Sequence, residues 1–151
     1  MAHLDGGREM LVAEILKDKG DAVYVISPDL DLSQACAELD RRRVGALIVC
    51  SVDKVVGVLS ERDVVRAVAR DGAAALSRPV QDYMTSDVVF ATPGETVEIL
   101  MGRMTDRRIR HLPVLREGVL AGVVSIGDVV KLQIEAATRE AESLRTYISA
   151  G

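Results

Sequence analysis

"GVLSERD", residues 57–63, recurs as "GVVSIGD", residues 122–128: Gly, two apolar residues, Ser, two variable positions and Asp, in one order and at one spacing. Sliding the chain against itself by the 65 positions that separate Asp63 from Asp128 extends the match well beyond this motif. "VYVISPDLDLSQACAELDRRRVGALIVC" aligns with "VVFATPGETVEILMGRMTDRRIRHLPVL", pairing Ser27-Pro28 with Thr92-Pro93, Arg42-Arg43 with Arg107-Arg108 and Val44 with Ile109. Upstream, "VAEILKDKGDAVYV" and "VQDYMTSDVVF" correspond once the first copy carries three extra residues between its opening helix and first strand. The reading is an internal duplication: a leader over 1–10, one repeat over 11–72, a linker over 73–79, a second repeat over 80–131 and an extension over 132–151.

Apolar periods inside each copy predict its elements. Leu32, Ala35 and Leu39, with their counterparts Val97, Leu100 and Met104, recur at helical spacing and mark one buried face. "ALIVC" and "LPVL", then "VVGVL" and "VLAGVV", are apolar runs of strand length, joined by tight turns around Val52-Asp53-Lys54 and Arg116-Glu117-Gly118. A helix then starts at Ser60 and at Ser125; Gly72 suits the end of the first, and Pro79 the opening of the next element. Each copy therefore reads helix, strand, helix, strand, strand, helix. The fold class is α/β, two pseudo-symmetric β-α-β-β-α repeats packed sheet to sheet over a shared Val/Leu/Ile core, with two equivalent clefts about a pseudo-twofold axis. The last helix breaks the repeat: "GDVVKLQIEAATREAESLRTYISA" runs for about six turns and ends on Leu144, Tyr147 and Ile148. It either packs back on its own domain or serves as a dimerisation arm.

At 151 residues the chain has the length of one compact domain, so the repeats are expected to share it. Hydrophobic residues make up 48% but aromatics only 3%, so the core must be aliphatic. A formal net charge of -4 argues against nucleic acid, which needs clustered positive charge. Cys36 and Cys50 stand apart in apolar surroundings with no CxxC spacing, and read as small hydrophobes rather than a disulfide or metal site. No apolar run approaches the ~20 residues of a membrane helix, and "MAHLDGGREM" lacks the basic-then-apolar pattern of a secretory signal. The expectation is a cytoplasmic protein whose partners are small molecules or proteins.

Ser-x-x-Asp has two readings. In a capping box, Ser accepts from the N–H three residues on and the acidic residue reaches back, although such boxes favour Glu or Gln and give no reason for the preceding Gly. In a ligand site, Gly lets another group approach the strand, Ser offers a hydroxyl, Asp presents two acceptors suited to a ribose diol, and the helix N-terminus favours phosphate.

The repeated G-h-h-S-x-x-D after a strand pair, the Ser/Thr-Pro near the first strand, and "RRVGALIV" and "RRIRHLPV" resemble tandem cystathionine-β-synthase (CBS) domains, the pair called a Bateman module, from about Leu11 to Lys131. "RRIRHLP" and "SIGDVV" are further similar to small stand-alone bacterial CBS-pair proteins and their plant organellar relatives. The resemblance implies clefts that bind an adenosyl ligand such as AMP, ADP, ATP, NAD or S-adenosylmethionine. It implies that Asp63 and Asp128 receive ribose hydroxyls, that Ser60 and Ser125 lie beside ribose or phosphate, that Ser27 and Thr92 are further hydroxyl candidates, and that apolar strand residues enclose adenine. Arg110 and His111 carry over as phosphate contacts, whereas the first copy has Gly45 and Ala46 there, so the two sites are expected to be unequal, with Asp128 the more important carboxylate. Arg62 is a candidate phosphate contact within the first motif, while Arg42-Arg43 and Arg107-Arg108 read as cations at helix C-termini.

Three classes of function follow. The first is a regulatory module that binds an adenosyl nucleotide, acts as a homodimer of four repeats, as the resemblance implies, and signals to a separate regulated protein. The second is an enzyme, disfavoured because His111 is the one histidine within a repeat and no Walker loop or metal-ligand cluster appears; no catalytic cofactor is expected. The third is a scaffold without ligand, in which Ser-x-x-Asp is only a helix cap.

Overall fold

In the computed structural model, which describes residues 9–20 and 22–150, the first copy runs α1 (Val12–Lys19), β1 (Val25–Ile26), α2 (Leu32–Arg42), β2 (Ala46–Ser51), β3 (Lys54–Ser60) and α3 (Glu61–Asp71). The expected leader, apart from Glu9 and Met10, lies outside the described residues. Two 3-10 turns, Gly72–Ser77 and Val80–Asp82, lead to α4 (Val97–Arg107), β4 (His111–Arg116), β5 (Val119–Ser125) and α5 (Ile126–Ala150). Both hairpins close through a two-residue turn with positive φ at each central position, Val52 and Asp53 in one and Glu117 and Gly118 in the other, the twist that antiparallel strands favour. Helices α2 and α4 end at Arg42 and Arg107, with Arg43 and Arg108 in the left-handed conformation that turns the chain into the next strand.

The second copy departs from the expected element order in two places. Where the first copy opens with α1, the second has only the 3-10 turn Val80–Asp82. Its expected first strand shrinks to a single parallel bridge between Ala91 and Val114, while β1 pairs with β2 over two residues. In the first sheet the Ile48 N–H donates to the Tyr24 carbonyl at 3.1 Å. The residue 65 positions on is Pro113, which has no N–H to give, so that rung of the ladder is lost and a two-stranded β4-β5 sheet remains.

Buried side chains form two clusters rather than one shared core. Leu32, Ala35, Leu39, Leu47, Val49 and Leu59 of the first copy enclose Ala75 and Val80, which follow α3. Val97, Leu100, Leu112, Val114, Val124 and Val129 of the second enclose Val12, Ile15 and Leu16 of α1. The copies have exchanged their opening segments. Backbone bonds fix the exchange: Val12 N–H to Glu95 O and Val97 N–H to Met10 O on one side, Val80 N–H to Leu30 O and Leu32 N–H to Arg78 O on the other. Hydrophobic burial of α1 can be satisfied only by the other repeat, so the halves are cooperative parts of one unit.

Helix α3 stops at Gly72, where φ is 65°. The position 65 residues later is Ala137, which favours helix, and α5 continues to Ala150. Among the described residues no helix is long and apolar enough to cross a membrane, and no group of three metal-ligating side chains occurs. Cys36 and Cys50 are free and half-buried, and burial pushes both thiols above their ordinary range.

Candidate functional site

The repeated motif first does what helix ends require. Ser60 Oγ accepts from the Asp63 N–H at 3.3 Å and Asp63 Oδ2 accepts from the Ser60 N–H at 2.9 Å. The second copy repeats this with Asp128 N–H to Ser125 Oγ at 3.2 Å and Ser125 N–H to Asp128 Oδ2 at 2.8 Å. Both are capping boxes with Asp in the place usually held by Glu or Gln. The next donor is also shared: Glu61 N–H bonds Gly45 O at 3.0 Å, and Ile126 N–H bonds Arg110 O at 2.9 Å.

The glycines of the motif serve packing, not approach of a ligand. A Cβ on Gly57 would lie 2.5 Å from Met84 Sδ and 3.0 Å from the Thr85 carbonyl; one on Gly122 would lie 2.6 Å from Leu16 Cδ2. Met84 and Leu16 occupy corresponding places in the exchanged opening segments. Each glycine is thus the seat on which the other repeat's opening segment rests.

Two clefts flank the contact between repeats, and their walls correspond under the 65-residue offset. One is lined by Ser60, Asp63, Val88, Val89 and the run Arg108 to His111; the other by Ser125, Asp128, Val23, Tyr24 and the run Arg43 to Ala46. His111 belongs to both, because it packs over Gly45, where a Cβ would meet His111 Nε2 at 2.9 Å and Glu61 Oε1 at 3.0 Å. A large residue on one side of the axis therefore requires glycine on the other.

In the first cleft, Asp63 is buried, with 7% of its surface exposed. Its Oδ2 accepts from the Ser60 N–H and hydroxyl, and its Oδ1 from the Thr85 hydroxyl at a long 3.3 Å. Val58, Val88, Val89, Ile109 and Pro113 form apolar wall, and Arg62, Arg66, Arg108 and Arg110 line the same cavity beside Glu61, Asp63 and Asp87. Asp87 is engaged by Arg107 at 3.1 Å. This is a largely aliphatic cavity lined by one buried carboxylate and four arginines.

The second cleft carries its own cation. Lys19 Nζ, at the end of α1, donates to Asp128 Oδ2 and to the Val123 carbonyl, each at 2.7 Å. Burial raises the Asp128 carboxyl, but the Lys19 and Ser125 hydrogen bonds and the Lys19 charge outweigh it and hold the group below its ordinary value. Tyr24 in this wall lies under Arg42, with 4.6 Å from guanidinium carbon to ring centroid.

Of the residues expected at a site, Ser60, Arg62, Asp63, Arg110 and His111 meet in the first cleft, and Ser125, Asp128 and again His111 in the second. Ser27 and Thr92 line neither: they sit in the turns before α2 and α4, where the Ser27 hydroxyl bonds Asp29 and the Thr92 N–H bonds Glu95. The positive form of His111 is disfavoured: burial first and the Lys19 charge second hold its pKa below the ordinary value against the opposing pull of Glu61 and Asp128. Arg110, although encoded in the second copy, lines the Asp63 cleft and not the Asp128 one.

Sequence reasoning missed Arg66, Arg108 and Thr85. Arg66 stands one helical turn after Asp63 on the same face, a legible signal. Arg108 also ends a helix, which hid its second position at the cleft mouth. Thr85 arrives through the exchanged segment, bridged to Val58 by two 2.9 Å backbone bonds, and no spacing foretells it.

This architecture has relatives. The family model for the CBS domain matches residues 12–70 and 80–135. The chain is 32% identical to the CBS domain-containing protein CBSX3, mitochondrial, of Arabidopsis thaliana, over 97% of this chain and 75% of that protein. The crystal structure of the CBS-domain containing protein ATU1752 from Agrobacterium tumefaciens superposes with a TM-score of 0.80 at 41% identity, over 82% of this chain and 99% of that one. The CBS domain pair of protein MJ0100, solved in complex with 5′-methylthioadenosine and S-adenosyl-L-methionine, has the same fold at 21% identity, with a TM-score of 0.76 over 85% of this chain and 99% of that one. With two repeats, exchanged opening segments and paired clefts, this chain belongs to the CBS domain family.

Proposed function

We propose that the protein is a non-catalytic regulatory module that binds an adenosyl nucleotide in the Asp63 cleft and passes its occupancy to a partner protein. One observation carries this reading: a buried carboxylate, an aliphatic slot and four guanidinium groups converge on one cavity. Adenine enters between Val58, Val88, Val89, Ile109 and Pro113. The ribose diol donates to Asp63 Oδ1, replacing the long and therefore weak bond from Thr85. Phosphate takes Arg62, Arg66, Arg108 and Arg110, with bidentate guanidinium contacts supplying most of the charge recognition. Because those groups are cationic, phosphorylated ligands (AMP, ADP, ATP or NAD) are favoured over S-adenosylmethionine, whose sulfonium they repel. MJ0100, a protein of the same fold, was crystallised with two adenosyl compounds, which supports adenosine as the common element.

The signal available to a partner is limited by the nucleotide's differential affinity for the two arrangements of the repeats. Isothermal titration with AMP, ATP, NAD and S-adenosylmethionine tests the assignment, on the native chain and on Asp63→Ala and Asp63→Asn. Saturable binding of a phosphorylated ligand, lost in both variants, is the expected result. A second reading, the scaffold without ligand, draws on the capping box, which already engages Ser60 and Asp63. Absence of heat and of competition with every nucleotide would establish that reading in place of the first.

A further inference from the structure

Beyond Ala136, α5 runs exposed along its whole circumference. Val129 and Leu132 are buried in the second core, whereas from Ala137 to Ser149 every residue is exposed. At 1.5 Å per residue this arm projects about 20 Å. A helix of that length without partners is marginal in water, yet it carries large apolar side chains open to solvent: Leu144 is 61% exposed and Ile148 67%.

Their spacing is ordered. Val130, Ile134, Ala137, Ala141, Leu144 and Ile148 recur at intervals of 4, 3, 4, 3 and 4, the alternation of a heptad seam. The seam lies on a different face from Val129 and Leu132. We infer that α5 pairs with α5 of a second copy of this chain as a short parallel two-stranded coiled coil, with Ile134, Ala141 and Ile148 in the first core position of each heptad and Val130, Ala137 and Leu144 in the second.

Charges beside the seam select the partner and its direction. In this register Glu140 precedes a core position and Arg145 follows the next one. A parallel pair brings Glu140 of each chain beside Arg145 of the partner subunit, giving two ion pairs related by the dyad. An antiparallel pair of the same seam instead brings Glu140 against Glu140 and Lys131 against Arg145, like charge on like charge. The helix is thus self-complementary in one direction only. None of the seam residues lines either cleft.

Sedimentation equilibrium of the full chain over a range of concentrations, without nucleotide, tests the pairing, with circular dichroism to verify that each variant is folded. The native chain is expected to dimerise and Leu144→Glu to weaken the dimer at least about tenfold. Glu140→Arg and Arg145→Glu are each expected to weaken it, and the double reversal to restore it. A chain that stays monomeric at all concentrations, or a dimer indifferent to Leu144→Glu, would overturn self-pairing through α5. Tighter association of Glu140→Gln would overturn the parallel direction, because a neutral side chain relieves the Glu140 against Glu140 contact of an antiparallel pair but removes the Glu140–Arg145 pair of a parallel one.

Discussion

The Asp63 and Asp128 clefts descend from one repeat and keep the same cap, the same hairpin and the same exchanged opening segment, yet their carboxylates are differently committed. Asp128 is held by Lys19, a cation supplied by the protein itself at 2.7 Å. Asp63 instead accepts from hydroxyl and backbone donors, with four arginines lining its cleft. The two cavities have corresponding walls, and in the proposed reading Asp63 is the carboxylate that takes the ribose, whereas Asp128 is engaged by Lys19. The contrast also shows that a motif present twice is not a site present twice: what reaches the motif from the other repeat decides.

The largest effect expected from this contrast is on nucleotide binding. Asp63→Ala removes hydrogen bonds to a charged acceptor, each of about 1.5–3 kcal/mol, and should weaken binding by ~10-fold or more. Asp128→Ala should change it less than ~3-fold. Titration of both variants with the preferred nucleotide gives the order, and a greater loss at Asp128 would show that the first cleft is not the primary site. Asp63→Asn keeps the shape of the cap and separates lost binding from lost fold.

Next in size is the packing that both clefts share. Gly57→Ala and Gly122→Ala insert a methyl group where another repeat's side chain already sits, and overpacking of this kind costs about 1–3 kcal/mol. Gly57→Ala should be the worse, because the Thr85 carbonyl at 3.0 Å is backbone and cannot turn aside, whereas Gly122 meets only Leu16. Urea unfolding measures both, and two unchanged midpoints would remove the exchanged segments from the account of stability.

How much of this was readable beforehand follows the range of the interactions. The duplication, the helix faces of Leu32 and Val97, the hairpin turns and the cap at Ser60 are local, and a period or a spacing expresses each. The two separate cores were not legible, because α1 and the turn at Val80 find their partners across the duplication and their apolar faces look alike whichever repeat they join. Pro113 did carry a readable message: a proline where its counterpart Ile48 donates to Tyr24 forecasts a shortened sheet. At the site, Asp63, Arg62 and Ser60 were within reach of motif reasoning. The cleft that Arg110 faces depends on which edge of the interface β4 enters, a tertiary fact that no residue count contains.

A smaller effect is expected where Lys19 is removed. Lys19→Met leaves Asp128 Oδ2 with the Ser125 N–H alone and removes the Lys19 bond to the Val123 carbonyl, and a second, weaker equivalent of nucleotide should then appear in titration. The pair is partly exposed, so its loss should cost less than about 1 kcal/mol. Its sign with pH is definite. A carboxyl held below its ordinary 3.8 contributes stability above that value and loses it as pH falls through the lowered one. Acid unfolding of Lys19→Met should therefore lack part of the native chain's loss below about pH 3.8, and identical acid profiles would mean that Lys19 does not hold Asp128 in solution.

The smallest effect lies at the axis between the clefts, where His111 feels both. Burial and the Lys19 charge depress its pKa below 6.5, so as pH falls through 6.5 the unfolded chain takes up the proton first and the native state loses stability until the folded imidazole is protonated too. The melting temperature should therefore decline from about pH 7.5 to about 5.5, and less so in His111→Gln. Lys19 is the largest charge opposing protonation, and removing it leaves Glu61 and Asp128, which favour it, against the smaller opposing charge of Arg110. The His111 imidazole resonance should consequently titrate at higher pH in Lys19→Met than in the native chain. An unmoved titration would separate the two clefts electrostatically, whereas the expected shift would show that a lysine serving one cleft sets the protonation of a side chain shared by both.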